Sequence, residues 1–204
     1  VLDGAVYLRL DGDARRLCAV DDIFIPGPHN LENALAASLL ASLMGAPDEA
    51  IARTLRTFRG VEHRIEFVRE WEGVRYIDDS KGTNVDATCR AVEAMAAPTL
   101  LILGGSEKNV DFAPLAEAIR RSGHIEAAVL IGQTADKIAA ALDAAGYKSY
   151  VHEGYSLERA VARCRSMAKP GYNVLLSPAC ASFDMFENCE QRGDVFKALV
   201  MEMK

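Results

Sequence analysis

Several familiar signatures are missing from this sequence of 204 residues. No G-x-x-x-x-G-K-[ST] string occurs, so the chain carries no phosphate-cradling P-loop of its own. Only half of a G-x-G-x-x-G fingerprint is present, at Gly104-Gly105, which is weak support for a dinucleotide site. The five cysteines form no C-x-x-C and the four histidines no H-x-x-x-H, so reduced, incidental thiols are expected and a metal site made from this chain alone is not. Basic excess is lacking: the net charge of −6 disfavours nonspecific nucleic-acid binding. No apolar run reaches membrane-span length, since the longest, 34–44, is broken by serines, and no signal peptide is visible. Repeats and low-complexity segments are absent too.

The composition is that of a globular protein, with 25% charged and 50% hydrophobic residues. Residues 1 to about 58 read as a strand pair (5–10 and 17–20, joined through Asp11-Gly12-Asp13), a turn at Ile25-Pro26-Gly27-Pro28, and two helices. The first helix is expected from His29-Asn30 to Met44, stopped by Gly45. The second starts at Pro47, with Asp48 and Glu49 in its first turn. From Val61 the pattern changes. A hairpin of 65–70 and 74–77 turns at Trp71-Glu72-Gly73. Strands at 99–103, 127–131, 150–151 and 173–176 then alternate with helices starting near Asn84 and at 112–121, 134–145, 156–168 and 189–203. Such alternation predicts an α/β fold, a Rossmann-like, mostly parallel sheet with helices on both faces. Two domains are expected, 1–59 and 60–204. The chain opens on Val1 inside a strand pair, so a fragment of a longer protein is expected.

In this reading the polar clusters follow strands. They are Asp78-Asp79-Ser80-Lys81-Gly82-Thr83, Gly104-Gly105-Ser106-Glu107-Lys108-Asn109, Gly132-Gln133-Thr134, His152-Glu153-Gly154 and Ser177-Pro178-Ala179-Cys180-Ala181-Ser182. Parallel strands bring these ends to one rim, where Asp79, Lys81, Thr83, Lys108 and Ser182 offer carboxylate, ammonium and hydroxyl groups to an anionic ligand. Each has a structural alternative. Asp78 and Asp79 are also suited to capping the next turn, Ser182 to capping a helix, Lys108 to a solvated loop, Asn30 and Asn33 to helix capping, and His29 and His63 to structural roles.

Taken together the strings are specific. Gly27-Pro28-His29-Asn30-Leu31-Glu32-Asn33-Ala34 resembles the H-N-x-x-N motif closing the central ATPase domain of the Mur ligases, and Gly60-Val61-Glu62-His63-Arg64 resembles the G-x-x-H-R of their domain junction. Asp78-Asp79-Ser80-Lys81-Gly82-Thr83-Asn84 is similar to the D-D-S-K-A-T-N of the branch that adds D-glutamate. The same holds for Gly104-Gly105 with Lys108 and Asp111-Phe112, and for the run from Leu175 through Ser182-Phe183-Asp184 to Glu190-Gln191-Arg192-Gly193. The resemblance implies an ATP-dependent amide ligase that adds D-glutamate to UDP-N-acetylmuramoyl-L-alanine through an acyl phosphate. It also implies ATP and Mg2+ as cofactors, a cytoplasmic monomer, and no nucleic-acid or membrane partner. By position it implies that Asn30, Asn33, Arg64, Asp79 and Lys81 serve the nucleotide, with Lys81 catalytic, and that Thr83, Lys108, Ser182 and Phe183 hold D-glutamate. The UDP-binding domain, the P-loop and the metal ligands are expected outside this chain, which alone is expected to be inactive. The sequence departs from the pattern at Gly82, Asn109, Phe183 and Cys189. The rival readings are a Rossmann-type oxidoreductase or nucleotide-binding module, another Mur-type or folylpolyglutamate synthase-like ligase, and a non-catalytic interaction module.

Overall fold

The computed structural model describes residues 1–10, 12–25 and 27–204, with the backbone alone at Pro28 and His29. The chain divides into two compact units, Val1–Gly60 and Val61–Lys204. The turns expected through Asp11 and Pro26 and the side chain of His29 lie outside the described residues.

The first unit pairs β1 (Ala5–Leu8) antiparallel with β2 (Arg15–Ala19) and carries α1 (Pro28–Leu43) and α2 (Asp48–Thr57). Pro47 supplies the extended residue ahead of α2, and Asp48 and Glu49 oppose the positive end of the helix. Ile51 and Leu55 of α2 join Val6, Leu8, Leu17, Cys18 and Ala34 in a small core. Helix α1 is apolar around much of its circumference, yet Leu40 and Leu43 are each 63% exposed and Met44 87%.

The second unit is a six-stranded sheet ordered β3-β4-β8-β5-β6-β7. The strands are β3 (Glu66–Trp71), β4 (Val74–Asp78), β5 (Thr99–Gly104), β6 (Ile125–Ile131), β7 (Tyr150–His152) and β8 (Asn173–Leu176). Only the β3–β4 pair is antiparallel. Its turn is tighter than expected. Trp71 is the last residue of β3, paired with Val74, and the two-residue turn places Glu72 at φ 51° and Gly73 at φ 74°, the left-handed pair that suits the twist of a hairpin. Strand β6 starts two residues earlier than its apolar run suggests.

The helices are α3 (Val85–Glu93), α4 (Ala113–Ser122), α5 (Ala135–Ala144), α6 (Leu157–Met167) and α7 (Cys189–Met201). Alternate strand residues feed two separate cores. Leu101, Leu103, Ala128, Leu130 and Leu175 pack under α3, α4 and α5. Leu100, Ile102, Val129, Ile131, Val174 and Leu176 pack under α6 and α7. Almost every residue of the central strands is therefore apolar, as sheets covered on both faces require. The last strand, β8, inserts between β4 and β5, the first two of the parallel set. The connections after β4 and β5 pass to one face and that after β8 to the other. The carboxyl end of β8 is thus the switch point where an open α/β sheet forms its ligand crevice.

Candidate active site at the carboxyl edge of the sheet

Three loops meet at this switch point. The loop after β4 (79–84) bonds to the loop after β8, with Ala179 N donating to Gly82 O at 2.8 Å. The loop after β5 bonds to the same segment, through Gly104 N to Pro178 O at 2.9 Å and Ser106 N to Ala181 O at 2.9 Å. The second glycine of Gly104-Gly105 is required by this contact, because a Cβ on Gly105 would collide with the Ala181 carbonyl, and its φ of 151° disfavours a side chain.

The two aspartates that end β4 are internal. Asp78 is 0% exposed and Asp79 4%. Asp78 accepts from Ser80 N at 2.8 Å, so it does cap the following turn, and its other oxygen meets His63 Nδ1 at 2.7 Å. Burial raises its pKa, against the His63 and Ser80 hydrogen bonds. Asp79 accepts from Ser177 Oγ at 2.6 Å and from Ile65 N at 3.2 Å. Burial pushes it up to about 6, against the Ser177 hydrogen bond. Gly82, where the related motif carries alanine, fits closely here: a Cβ would lie 2.5 Å from Asp79 Oδ2 and 2.8 Å from Ser177 Oγ.

His63 adopts a left-handed φ of 63° and anchors the loop a second time, its carbonyl accepting from Lys81 N at 3.0 Å. The Lys81 ammonium reaches outward to Glu190 Oε1 at 2.7 Å. The exposed Arg64 guanidinium is near enough to favour the Asp79 carboxylate and disfavour the Lys81 ammonium. Thr83 is half-buried. Ser182 is 1% exposed and its Oγ finds no hydrogen-bond partner among the described residues. It does not cap α7; Asn188 does, accepting from Gln191 N at 2.7 Å. Phe183 beside it is 72% exposed.

On the β5 loop, Glu107 Oε1 gathers the backbone N–H groups of Lys108 (2.9 Å) and Asn109 (2.5 Å) and the Lys137 ammonium (3.2 Å). Asn109 takes a left-handed φ of 54°, which explains why asparagine can stand where glycine is common. The Lys108 side chain remains exposed. Arg64, Asp79, Lys81, Thr83, Lys108, Ser182 and Phe183 therefore all belong to the joined loops or their immediate neighbour at 63–65. Asn30, which is buried, and Asn33, which is exposed, lie on α1 in the other unit.

Among the described residues two groups of side chains have metal-ligand proximity, Glu62-His63-Asp194 and His63-Glu66-Asp78. Neither fits a hard divalent cation. The Lys197 ammonium lies 2.6 Å from Glu62 and 3.9 Å from Asp194, and His63 Nδ1 already bonds Asp78.

The family described as the Mur ligase glutamate ligase domain matches residues 63–180, which carry most of this rim but stop short of Ser182 and Phe183. The chain belongs to the Mur ligase family. A UDP-N-acetylmuramoylalanine–D-glutamate ligase of Thermoanaerobacter sp. (strain X514) is 47% identical over 208 aligned residues, covering 100% of this chain and 45% of the relative. The ligase of the same name from Caldanaerobacter subterraneus subsp. tengcongensis is 48% identical, over 100% of this chain and 44% of the relative. The chain thus spans less than half the length of these Mur ligases. Among solved structures, a pseudomurein peptide ligase type C from Methanothermus fervidus matches 100% of this chain and 41% of its own with a TM-score of 0.68 at 15% identity, a likeness of fold.

Sequence reasoning did not single out Ser177, Glu190 or Arg192 as site residues, although all three stand in motifs it quoted. Ser177 has no local signal, because its partner Asp79 is 98 residues away.

Proposed function

We propose that this chain is the amino-acid-binding part, with one wall of the nucleotide site, of an ATP-dependent ligase that joins D-glutamate to UDP-N-acetylmuramoyl-L-alanine. The observation that carries this reading is the buried, unpartnered hydroxyl of Ser182 on the same bonded rim as Lys81, Thr83 and Lys108. A buried polar atom without a partner is costly unless a ligand completes it. Two relatives more than twice as long, 47% and 48% identical to this chain along its whole length, carry that ligase name.

In this reading the carboxyl of the nucleotide-linked peptide takes the terminal phosphoryl of ATP. The unprotonated amine of D-glutamate attacks the acyl phosphate, and the tetrahedral intermediate expels phosphate to leave the amide. Lys81 and Arg64 supply cationic charge on the phosphate side, where negative charge is transferred. Asp79 supports them from inside the loop, and Asn30 and Asn33 serve the adenine. Thr83, Lys108, Ser182 and the Phe183 backbone receive the two carboxylates of D-glutamate. Residues 1–59 are the end of the central ATPase domain, a reading supported by the exposed apolar residues of α1. Any Mg2+ is held by residues outside this chain. The site of action is the cytoplasm, as a monomer; among the described residues no helix is long and apolar enough to cross a membrane.

The test is ADP release by the full-length enzyme, offered UDP-N-acetylmuramoyl-L-alanine or a folate acceptor with D-glutamate, L-glutamate or a diamino acid. Release that requires D-glutamate is expected. Release driven by another amino acid or by a folate acceptor would replace the reading. The 204-residue chain alone is expected to release no ADP.

A further inference from the structure

The largest fully buried side chain in the second unit is a cation. Arg192, on the first turns of α7, is 0% exposed. Burying a charge is expensive unless it is paired, yet among the described residues Arg192 forms no ion pair. Desolvation lowers its pKa to about 10, which leaves it charged at neutral pH.

Among the described residues the hydrogen bonds of its guanidinium are all to two loops. Nε donates to Ser80 Oγ at 2.9 Å and Nη2 to Ser80 O at 2.8 Å. Nη1 donates to Cys180 O at 3.1 Å and to Ala181 O at 3.3 Å. Ser80 Oγ in turn donates a hydrogen bond to Cys189 O at 2.7 Å, which ties the cluster back to the start of α7. Ser80 immediately precedes Lys81, and Ala181 immediately precedes Ser182. A planar guanidinium fixes the directions of its donors rigidly, which a lysine cannot do. The next residue, Gly193, lets α7 approach closely enough, since a Cβ there would collide with His63 Nδ1.

We propose that Arg192 is a positioning residue: its guanidinium sets the spacing between the loop that carries Lys81 and Thr83 and the turn that carries Ser182, and so holds the phosphate side and the amino-acid side of the site in register. The spacing role rests on the geometry alone; its consequence for catalysis rests on the ligase reading above.

The test uses the full-length enzyme and its Arg192→Lys variant, which keeps the charge and loses the fork. Hydrogen exchange at 79–84 and at 179–184 is expected to quicken together by about tenfold, the loss of roughly one charge-assisted bond, with β5 and β6 unchanged. The D-glutamate KM is expected to rise. Ser182→Ala is expected to cost less in the Arg192→Lys background than alone, because Ser182 is already displaced. Loosening of one segment only, or of neither, overturns the proposal. So do effects of Ser182→Ala and Arg192→Lys that multiply independently. If Arg192→Lys fails to fold, Ser80→Ala removes one acceptor and leaves the other three bonds. The same joint loosening is then expected, and its absence overturns the proposal. If the unaltered enzyme ignores D-glutamate, the ligase reading fails while the exchange result still decides the positioning role.

Discussion

Asp79→Asn is expected to flatten the pH dependence of stability in the second unit. Asp79 is 4% exposed, and burial raises its pKa from the ordinary 3.8 to about 6. Below the unfolded value both states hold the proton and the folded form bears no penalty. Between about 4 and 6 the unfolded chain ionises first, so stability falls as pH rises; above the folded value the loss is complete. A shift of about two units corresponds to roughly 3 kcal/mol at most. Asparagine removes the titration. It keeps an oxygen for Ile65 N and an amide for Ser177 Oγ, whose proton is then free for Thr88 Oγ1, 3.0 Å away. The assay is urea unfolding from pH 4 to pH 8, read by the fluorescence of Trp71, the one tryptophan in the chain, which packs against the core under α6 and α7. The difference in unfolding free energy between variant and parent is expected to grow in favour of the variant by about 1–3 kcal/mol across this range. A difference that stays constant with pH would refute the buried, proton-binding role of Asp79.

Lys108→Ala in the full-length enzyme is expected to raise the D-glutamate KM about 10- to 150-fold, the worth of one charge-assisted bond, and to leave the ATP KM nearly unchanged. An untouched D-glutamate KM would return Lys108 to an ordinary solvated loop residue. Ser182→Ala is expected to cost D-glutamate affinity less than Lys108→Ala, since one neutral donor is lost, and slightly to stabilise the ligand-free protein by removing an unpartnered buried hydroxyl; thermal unfolding with and without D-glutamate checks both. Gly193→Ala lies inside α7, where alanine is ordinarily the better helix former by about 1 kcal/mol. Here the added Cβ meets His63 Nδ1 and lies 2.8 Å from Asp78 Oδ2, so a net loss of about 1–3 kcal/mol is expected in the Trp71 unfolding assay.

Much of this protein was determined by local sequence. The near-continuous apolar runs at β5, β6 and β8 prescribe strands buried on both faces, and the punctuation between them prescribes helices. The Lys81, Lys108 and Ser182 segments were recognisable because strand ends and turn chemistry are written in consecutive residues. The two-residue turn at Glu72-Gly73 was blurred because Trp71 suits a turn rim as readily as a strand end, and pairing with Val74 decides it. What only the tertiary structure decided is distance along the chain collapsed into contact. No local pattern tells β8, the last strand, to enter between β4 and β5, because that order depends on which sheet edges and faces remain uncovered. That insertion joins Gly82 to Ala179, Asp79 to Ser177 and Arg192 to Ser80, partners about a hundred residues apart. It also makes Asp79 a buried acid instead of an exposed one, and Arg192 an interior cation. The charges of these side chains follow from the sequence, but their burial and partners depend on the packing of the second unit.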